Sequence, residues 1–311
     1  MTPKRHTRID AGLGRVRDTI RACLEGSSLR PLSAELCAAQ LGGKMLRARL
    51  MLRVGAVAGA PRDGLTANAA AVEMLHAASL LHDDVIDGAD RRRGRPAFWI
   101  NHGASGAVLL GDLLMCEALR LVAAVPPVRL LHRAIHHVRE ICDAEAEQEL
   151  LLRRTRPDWD RCVSIARRKT GSLFAFAAYA AGGDEEAMAD ALCEAGYLAG
   201  TAYQLADDIL DAFGNTAASG KTLGCDARAE KVTAISCWKA GGVEDPAAAL
   251  HALCAQSARA LDAWPRVARA WAEYLDSDLC PAIECCVASF AATSRVRASA
   301  GSRGPSRRRR K

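Results

Sequence analysis

Two short acidic clusters carry the chemistry of this sequence. One reads Leu80-Leu81-His82-Asp83-Asp84-Val85-Ile86-Asp87 and the other Leu205-Ala206-Asp207-Asp208-Ile209-Leu210-Asp211, each a D-D-x-x-D in apolar surroundings. On a helix Asp83 and Asp87, like Asp207 and Asp211, stand i and i+4 and project from one face about one turn apart. Like charges at that spacing repel, and apolar flanks imply burial, so a cationic partner is required. Oxygen-only ligands select hard cations. Mg²⁺ takes one or two carboxylates and leaves its other positions to water and phosphate oxygens, so two carboxylate walls are expected to hold Mg²⁺ against a phosphorylated substrate. Calcium is the competing ion, although an EF-hand would put its carboxylates in a Gly-containing loop. A single D-D-x-x-D reads equally well as a capped or solvated helix end; two copies with the same apolar framing make coincidence a poor account.

Basic residues answer the acids. Lys44 and Arg47 follow Gly42-Gly43, Arg91, Arg92 and Arg93 follow Asp87, Lys169 precedes Thr170-Gly171, and Lys221 and Lys231 come after the second cluster. A diphosphate bridged by Mg²⁺ is only partly neutralised, and Lys and Arg donors supply the rest, Arg also fixing orientation.

These groups need a scaffold that holds them opposite one another. Half of the 311 residues are apolar and a quarter charged, which excludes global disorder, while only 5% are aromatic. Ala and Leu abound and strand formers are thin, which points to helices. Apolar residues recur at helical spacing between breaks near Gly42-Gly43, Gly59 to Gly64, Gly94 to Gly103, Pro126-Pro127, Pro157-Asp158, Gly182-Gly183, Gly214 to Gly224 and Gly241-Gly242. No stretch shows strand alternation bounded by hairpin turns. The expectation is an all-α, large single-domain helical bundle over residues 1–294.

No apolar run reaches the roughly 20 residues of a membrane span, and the start of the chain does not read as a signal peptide. The twelve dispersed Cys are expected to be reduced thiols filling apolar space. Eight basic residues lie in 295–311 with no acid among them, leaving 34 basic against 36 acidic residues in the body. This segment is expected to be a disordered basic tail that is merely solvated; contact with nucleic acid, anionic lipid or an acidic partner is the alternative. His132, His136 and His137 include an i, i+4 pair, read as a solvated helix face rather than a metal site because no third ligand is evident.

With these motifs in order, the sequence resembles the trans-isoprenyl diphosphate synthases, the polyprenyl synthetase family. The family's G-G-K-R-x-R-P element corresponds to Gly42-Gly43-Lys44-Met45-Leu46-Arg47-Ala48, with Met45 and Ala48 departing from Arg and Pro. The resemblance implies a bundle of the isoprenoid synthase type with a central cavity. It implies that Lys44, Arg47 and His76 hold isopentenyl diphosphate, that Arg92 serves an allylic diphosphate and Arg93 the isopentenyl one. It further implies that Lys169, Thr170, Gln204, Lys221 and Lys231 hold the allylic substrate and stabilise its developing cation.

Asp83, Asp87, Asp207 and Asp211 would be ligands of two or three Mg²⁺ ions, and Asp83, Asp84, Asp87, Lys169, Asp207 and Asp208 the catalytic set. Ionisation of the allylic diphosphate, attack by the isopentenyl double bond and loss of a proton to the released pyrophosphate would follow. Glu145-Ala146-Glu147 matches an acidic stretch of the family's central helix and is read as a helix contact. Ser79 and Ala78, four and five residues before Asp83, are small where farnesyl synthases of the family place an aromatic. Together with Met74 and Leu75 as a floor, this favours geranylgeranyl diphosphate, with longer products next. A homodimer in the cytoplasm, without nucleic acid and with no membrane contact expected through the tail, completes the reading. The rivals are a class I terpene cyclase, which handles one diphosphate and mixes Asn, Ser and Glu in its second motif, and a non-catalytic subunit, which tends to lose one aspartate motif.

Overall fold

The computed structural model describes residues 3–40, 43–155, 158–213, 233 and 246–287. Lys221, Lys231 and the basic tail lie outside the described residues. The chain forms α1 (Pro3–Glu25), α2 (Ser33–Gln40), α3 (Leu46–Ala58), α4 (Arg62–Ile86), α5 (Phe98–Ala123), α6 (Arg129–Leu150), α7 (Trp159–Ala166), α8 (Ser172–Ala181), α9 (Glu186–Phe213), α10 (Pro246–Arg259) and α11 (Pro265–Tyr274). Two π-turns, Arg167–Gly171 and Leu275–Leu279, run directly into helices.

The centre of the bundle is α8, Ser-Leu-Phe-Ala-Phe-Ala-Ala-Tyr-Ala-Ala, every residue of which is buried. A helix apolar all round belongs in a core, and α8 packs against α3, α4, α6 and α9. Its fit to α9 is tight enough to demand glycine. A Cβ on Gly196 would stand 2.6 Å from the Phe174 carbonyl oxygen, and one on Gly200 2.8 Å from the Gly171 Cα. That approach sets the second aspartate cluster, further along α9, against the π-turn that carries Lys169 and Thr170.

The all-α expectation holds apart from a minor detail that the sequence does not show, and the expectation for the cysteines needs correction at one position. A two-stranded hairpin, β1 (Arg91–Arg92) and β2 (Arg95–Pro96), interrupts the helices. Strands of two residues are too short to alternate, so no periodicity betrays them. Its two-residue turn, Arg93-Gly94, has positive φ at both positions, 52° and 77°, the geometry that matches strand twist in tight hairpins. Cys162 is disulfide-bonded, whereas Cys23, Cys193 and Cys254 are buried free thiols. Spacing along the chain cannot reveal a pairing made through tertiary proximity.

Candidate active site

Both aspartate clusters sit at helix C-termini. Asp83 and Asp84 lie in the last turn of α4 with Asp87 as its C-cap, and Asp207, Asp208 and Asp211 lie in the last two turns of α9. The C-terminal end of a helix carries partial negative charge, so carboxylates there are doubly disfavoured unless a cation compensates them. An all-oxygen donor set at such a place fits a hard divalent ion. Among the described residues no three His, Cys, Asp or Glu side chains form a closed metal cluster. Each wall offers a pair one turn apart, which suits an ion that keeps several sites for water and phosphate.

Arg92 is anchored on the first wall. Its Nε and Nη2 donate to Asp84 Oδ1 at 2.9 and 2.5 Å. Burial would lower its pKa, but Asp84, Asp83 and Asp207 outweigh that and raise it, so the guanidinium stays charged between the two motifs. Asp84 is only 4% exposed. Burial pushes its carboxyl up, and Arg92 opposes the push. Asp84 is therefore the seat of Arg92, a role that spacing alone does not distinguish from that of its neighbours.

A second basic group lies at the base of α3. Met45 caps this helix in the left-handed conformation, φ 49°. Arg47 is 6% exposed, its guanidinium carbon lies 4.4 Å above the Phe174 ring, and its Nε is buried with no hydrogen-bond partner. The Arg93 guanidinium lies against the bare Cα of Gly43, where a Cβ would stand 2.6 Å from Nη2. Burial, then the charges of Arg47, Arg93 and Arg92, hold His76 well below the usual histidine pKa, so it is a neutral imidazole among cations. Lys44 is exposed beside this cluster. Arg47, Arg93 and His76 are thus brought together, and a buried unpaired guanidinium nitrogen fits an anionic ligand.

The departures from the family motif have structural consequences. Ala48, in place of proline, has an N–H and donates it to Glu73 Oε1 at 2.9 Å. Glu73 is 7% exposed, and burial raises its carboxyl against the pull of Arg47. Sequence reasoning missed Glu73, although its place three residues before His76 on a helix is a usable signal. It also missed Tyr203, one turn before Asp207 on α9, whose ring centroid lies 5.9 Å from that of Phe174. Burial, then Asp207, pushes the Tyr203 hydroxyl above its ordinary range, so it is a neutral phenol.

On the facing side, Thr170 Oγ donates to Gln204 Oε1, and Gln204 Nε2 donates to Asp208 Oδ1 at 2.7 Å. Lys169 pairs with Glu145 and donates to Gln148 Oε1 at 3.2 Å. The acidic stretch of α6 is therefore a contact to the Lys169 turn in particular. His132 and His136 are exposed, but His137 is 1% exposed, which corrects the expectation of a solvated face for that residue.

The chain-length residues separate. Met74 and Ala77 line a small apolar cavity with Ile20, Leu24, Leu36, Leu110 and Leu114. Nine residues before Asp83, Met74 lies about half a turn around α4 from it, whereas Ser79 lies about 40° away. Ser79 Oγ donates to the His76 carbonyl at 2.9 Å, and Ala78 and Leu75 are buried on α4.

The polyprenyl synthetase family model matches residues 32–267, and the chain belongs to that family. It is 34% identical over 197 residues to the octaprenyl diphosphate synthase of Haemophilus influenzae, covering 62% of this chain and 60% of that protein. With the geranylgeranyl diphosphate synthase of Mycobacterium tuberculosis it shares 34% identity over 204 residues, covering 63% of this chain and 58% of that one. The chain thus spans about three-fifths of these relatives' own length. Among solved structures, the polyprenyl synthase of Caulobacter crescentus CB15, complexed with calcium and isoprenyl diphosphate, superposes with a TM-score of 0.69 at 30% identity, covering 90% of this chain and 89% of that one. The all-α architecture is that of the isoprenoid synthases.

Proposed function

We propose that the protein is a Mg²⁺-dependent prenyltransferase that joins isopentenyl diphosphate to an allylic diphosphate, giving a trans-polyprenyl diphosphate, with geranylgeranyl diphosphate (C20) as product. The observation that carries the reading is the position of Arg92, fixed on Asp84 and electrostatically coupled to Asp83 and Asp207, with a separate basic group at Arg47, Arg93 and His76. Two distinct anion sites serve a two-substrate reaction and are superfluous for a cyclase. Family membership and the names of the relatives support the same class.

Asp83, Asp87, Asp207 and Asp211 are the oxygen donors for Mg²⁺, which supplies Lewis-acid neutralisation of the allylic diphosphate. Arg92 steadies charge developing on the departing group. Lys44, Arg47, His76 and Arg93 orient the isopentenyl diphosphate, His76 as a neutral donor. The Thr170 hydroxyl and Gln204 amide present oxygen dipoles to the allylic carbon as it becomes cationic, and the apolar walls keep water from it. The proton lost at the end goes to the released pyrophosphate.

Small residues at Ala78 and Ser79 favour a C20 product. The relatives' names span geranylgeranyl and octaprenyl products, so a longer chain is the second reading. Exposed apolar side chains at Ile100, Val108 and Leu109 on α5 and Ile135 on α6 are the support for a homodimer. A cytoplasmic location belongs to the same proposal and rests on the class of enzyme. No helix among the described residues is long and apolar enough to cross a membrane. The test is product analysis with isopentenyl diphosphate, Mg²⁺ and dimethylallyl, geranyl or farnesyl diphosphate in turn. A C20 product, lost in Asp83→Ala, supports the reading; C30 or longer keeps the reaction and overturns the product.

A further inference from the structure

Against the π-turn that carries Lys169 and Thr170 lies a partly buried polar network that the proposed chemistry does not use. Glu140 on α6 is its hub. One carboxylate oxygen, Oε2, accepts from Ser172 Oγ at 2.9 Å and from the Tyr197 hydroxyl. His137 Nδ1 lies 3.1 Å from the Tyr197 oxygen and 3.5 Å from Glu140 Oε2. Ser172 and His137 are 0% and 1% exposed while Glu140 and Tyr197 are half-buried, so this is a partly buried network joining α6, α8 and α9. A satisfied buried network specifies one arrangement, whereas a broken one is costly. Burial alone would raise the Glu140 carboxyl, yet its hydrogen bonds from His137, Tyr197 and Ser172 bring it down to about 2.

The location gives the network a purpose. Ser172 follows the turn directly, two residues after Thr170, and π-turns concentrate at functional sites. The turn's other side chains are also tied down. Arg167 forks onto Glu194 at 2.6 and 3.2 Å and covers the Tyr197 ring at 4.1 Å. Arg168 reaches Asp143 and Glu147 at 2.9 and 2.6 Å. Tyr197 therefore serves both the hub, through its hydroxyl, and the turn, through its ring.

We propose that Glu140 is a positioning residue that, through Ser172 and Tyr197, sets the Lys169–Thr170 turn at the distance from Gln204 at which the Thr170 and Gln204 oxygens face the reacting allylic carbon. The inference rests on the prenyl-transfer reading for its kinetic consequence. Misplacing a substrate-orienting group by a fraction of an ångström costs on the order of 10–100-fold in rate.

The test combines kinetics with amide exchange. In a wild type that turns over, Glu140→Ala lowers kcat about 10–100-fold, while the KM for isopentenyl diphosphate, whose proposed site is the Arg47, Arg93 and His76 group, stays within about twofold. Glu140→Gln, which keeps an acceptor oxygen, recovers most of the loss. The Glu140→Ala/Thr170→Val pair is no slower than Thr170→Val alone, because the two act as one unit. Should Glu140→Ala not fold, Ser172→Ala replaces it in the same cycle. Hydrogen exchange at residues 168–171 quickens in the variant relative to the α3 amides. Additive losses in kcat, an equal rise in the isopentenyl KM, or unchanged exchange in the turn overturns the proposal. The exchange measurement needs no turnover, so a wild type that transfers no prenyl group defeats the functional reading and leaves the positioning claim decided by exchange.

Discussion

Asp84 and Arg92, eight residues apart, form an ion pair in which a single carboxylate oxygen accepts from Nε at 2.9 Å and from Nη2 at 2.5 Å. The middle aspartate of the first motif thus holds Arg92, and in the proposed reading Asp83 and Asp87 would be the metal ligands. Asp84→Ala is expected to lower kcat/KM for the allylic diphosphate roughly 10–100-fold, the range for loss of an oriented charge-assisted contact. The Mg²⁺ activation constant should shift far less than in Asp83→Ala. Steady-state rates at varied allylic substrate and varied Mg²⁺ measure both, and an equal shift in the two variants would make Asp84 a ligand instead.

Ala48→Pro would bring the chain to the family pattern while deleting the N–H that Glu73 accepts at 2.9 Å. Leaving a buried carboxylate short of a donor costs about 1–3 kcal/mol. Thermal melting is expected to show a Tm lower by roughly 3–8 °C. A Tm at or above the wild-type value would mean that Arg47 alone satisfies Glu73.

Glu140 carries a pH signature. Its carboxyl is held down to about 2 against an ordinary 4.5. Its contribution to stability is complete above about pH 4.5 and disappears as the pH falls toward 2. Allowing for partial solvent screening, the contribution is on the order of 1–2 kcal/mol. Urea midpoints at pH 7 and pH 3, wild type against Glu140→Gln, isolate it. The gap between the two proteins should narrow on acidification, and a constant gap would remove the charge from the account.

Position around α4 separates product control from packing. Ser79→Phe, on the side of Asp83, is expected to shorten the main product by at least one C5 unit. Met74→Ala, at a position that lines a small cavity with Leu36 and Leu110 on the opposite side, is expected to cost about 2–4 kcal/mol of stability and to leave product length unchanged. Chain-length analysis and denaturant unfolding of both variants measure this; a longer product from Met74→Ala would place the tunnel on that side.

Relations between neighbours along the chain are legible in the sequence. Asp83 with Asp87, and Asp207 with Asp211, are i, i+4 pairs that any helix imposes, and the apolar run of α8 announces its own burial. The Arg91–Pro96 hairpin leaves no such trace because it is held by backbone pairing over two residues on each side. Lys169 with Glu145, and Ser172 with Glu140, join segments more than twenty residues apart, so no local spacing encodes them. His137 escapes a local reading because its neighbours His132 and His136 are exposed, while a rotation of about 100° per residue carries it inward. Met74 escapes for the same reason, since a half-turn is lost when positions are counted only as turns back from Asp83.

The central claim is that two diphosphates meet in one site, and pyrophosphate release measures it most directly. With Mg²⁺ present, release is expected when isopentenyl diphosphate and an allylic diphosphate are supplied together, and to fall to background when either is omitted, when Mg²⁺ is chelated, or in Asp207→Ala. Release from the allylic diphosphate alone, at a rate indifferent to isopentenyl diphosphate, would contradict the account and mark a cyclase.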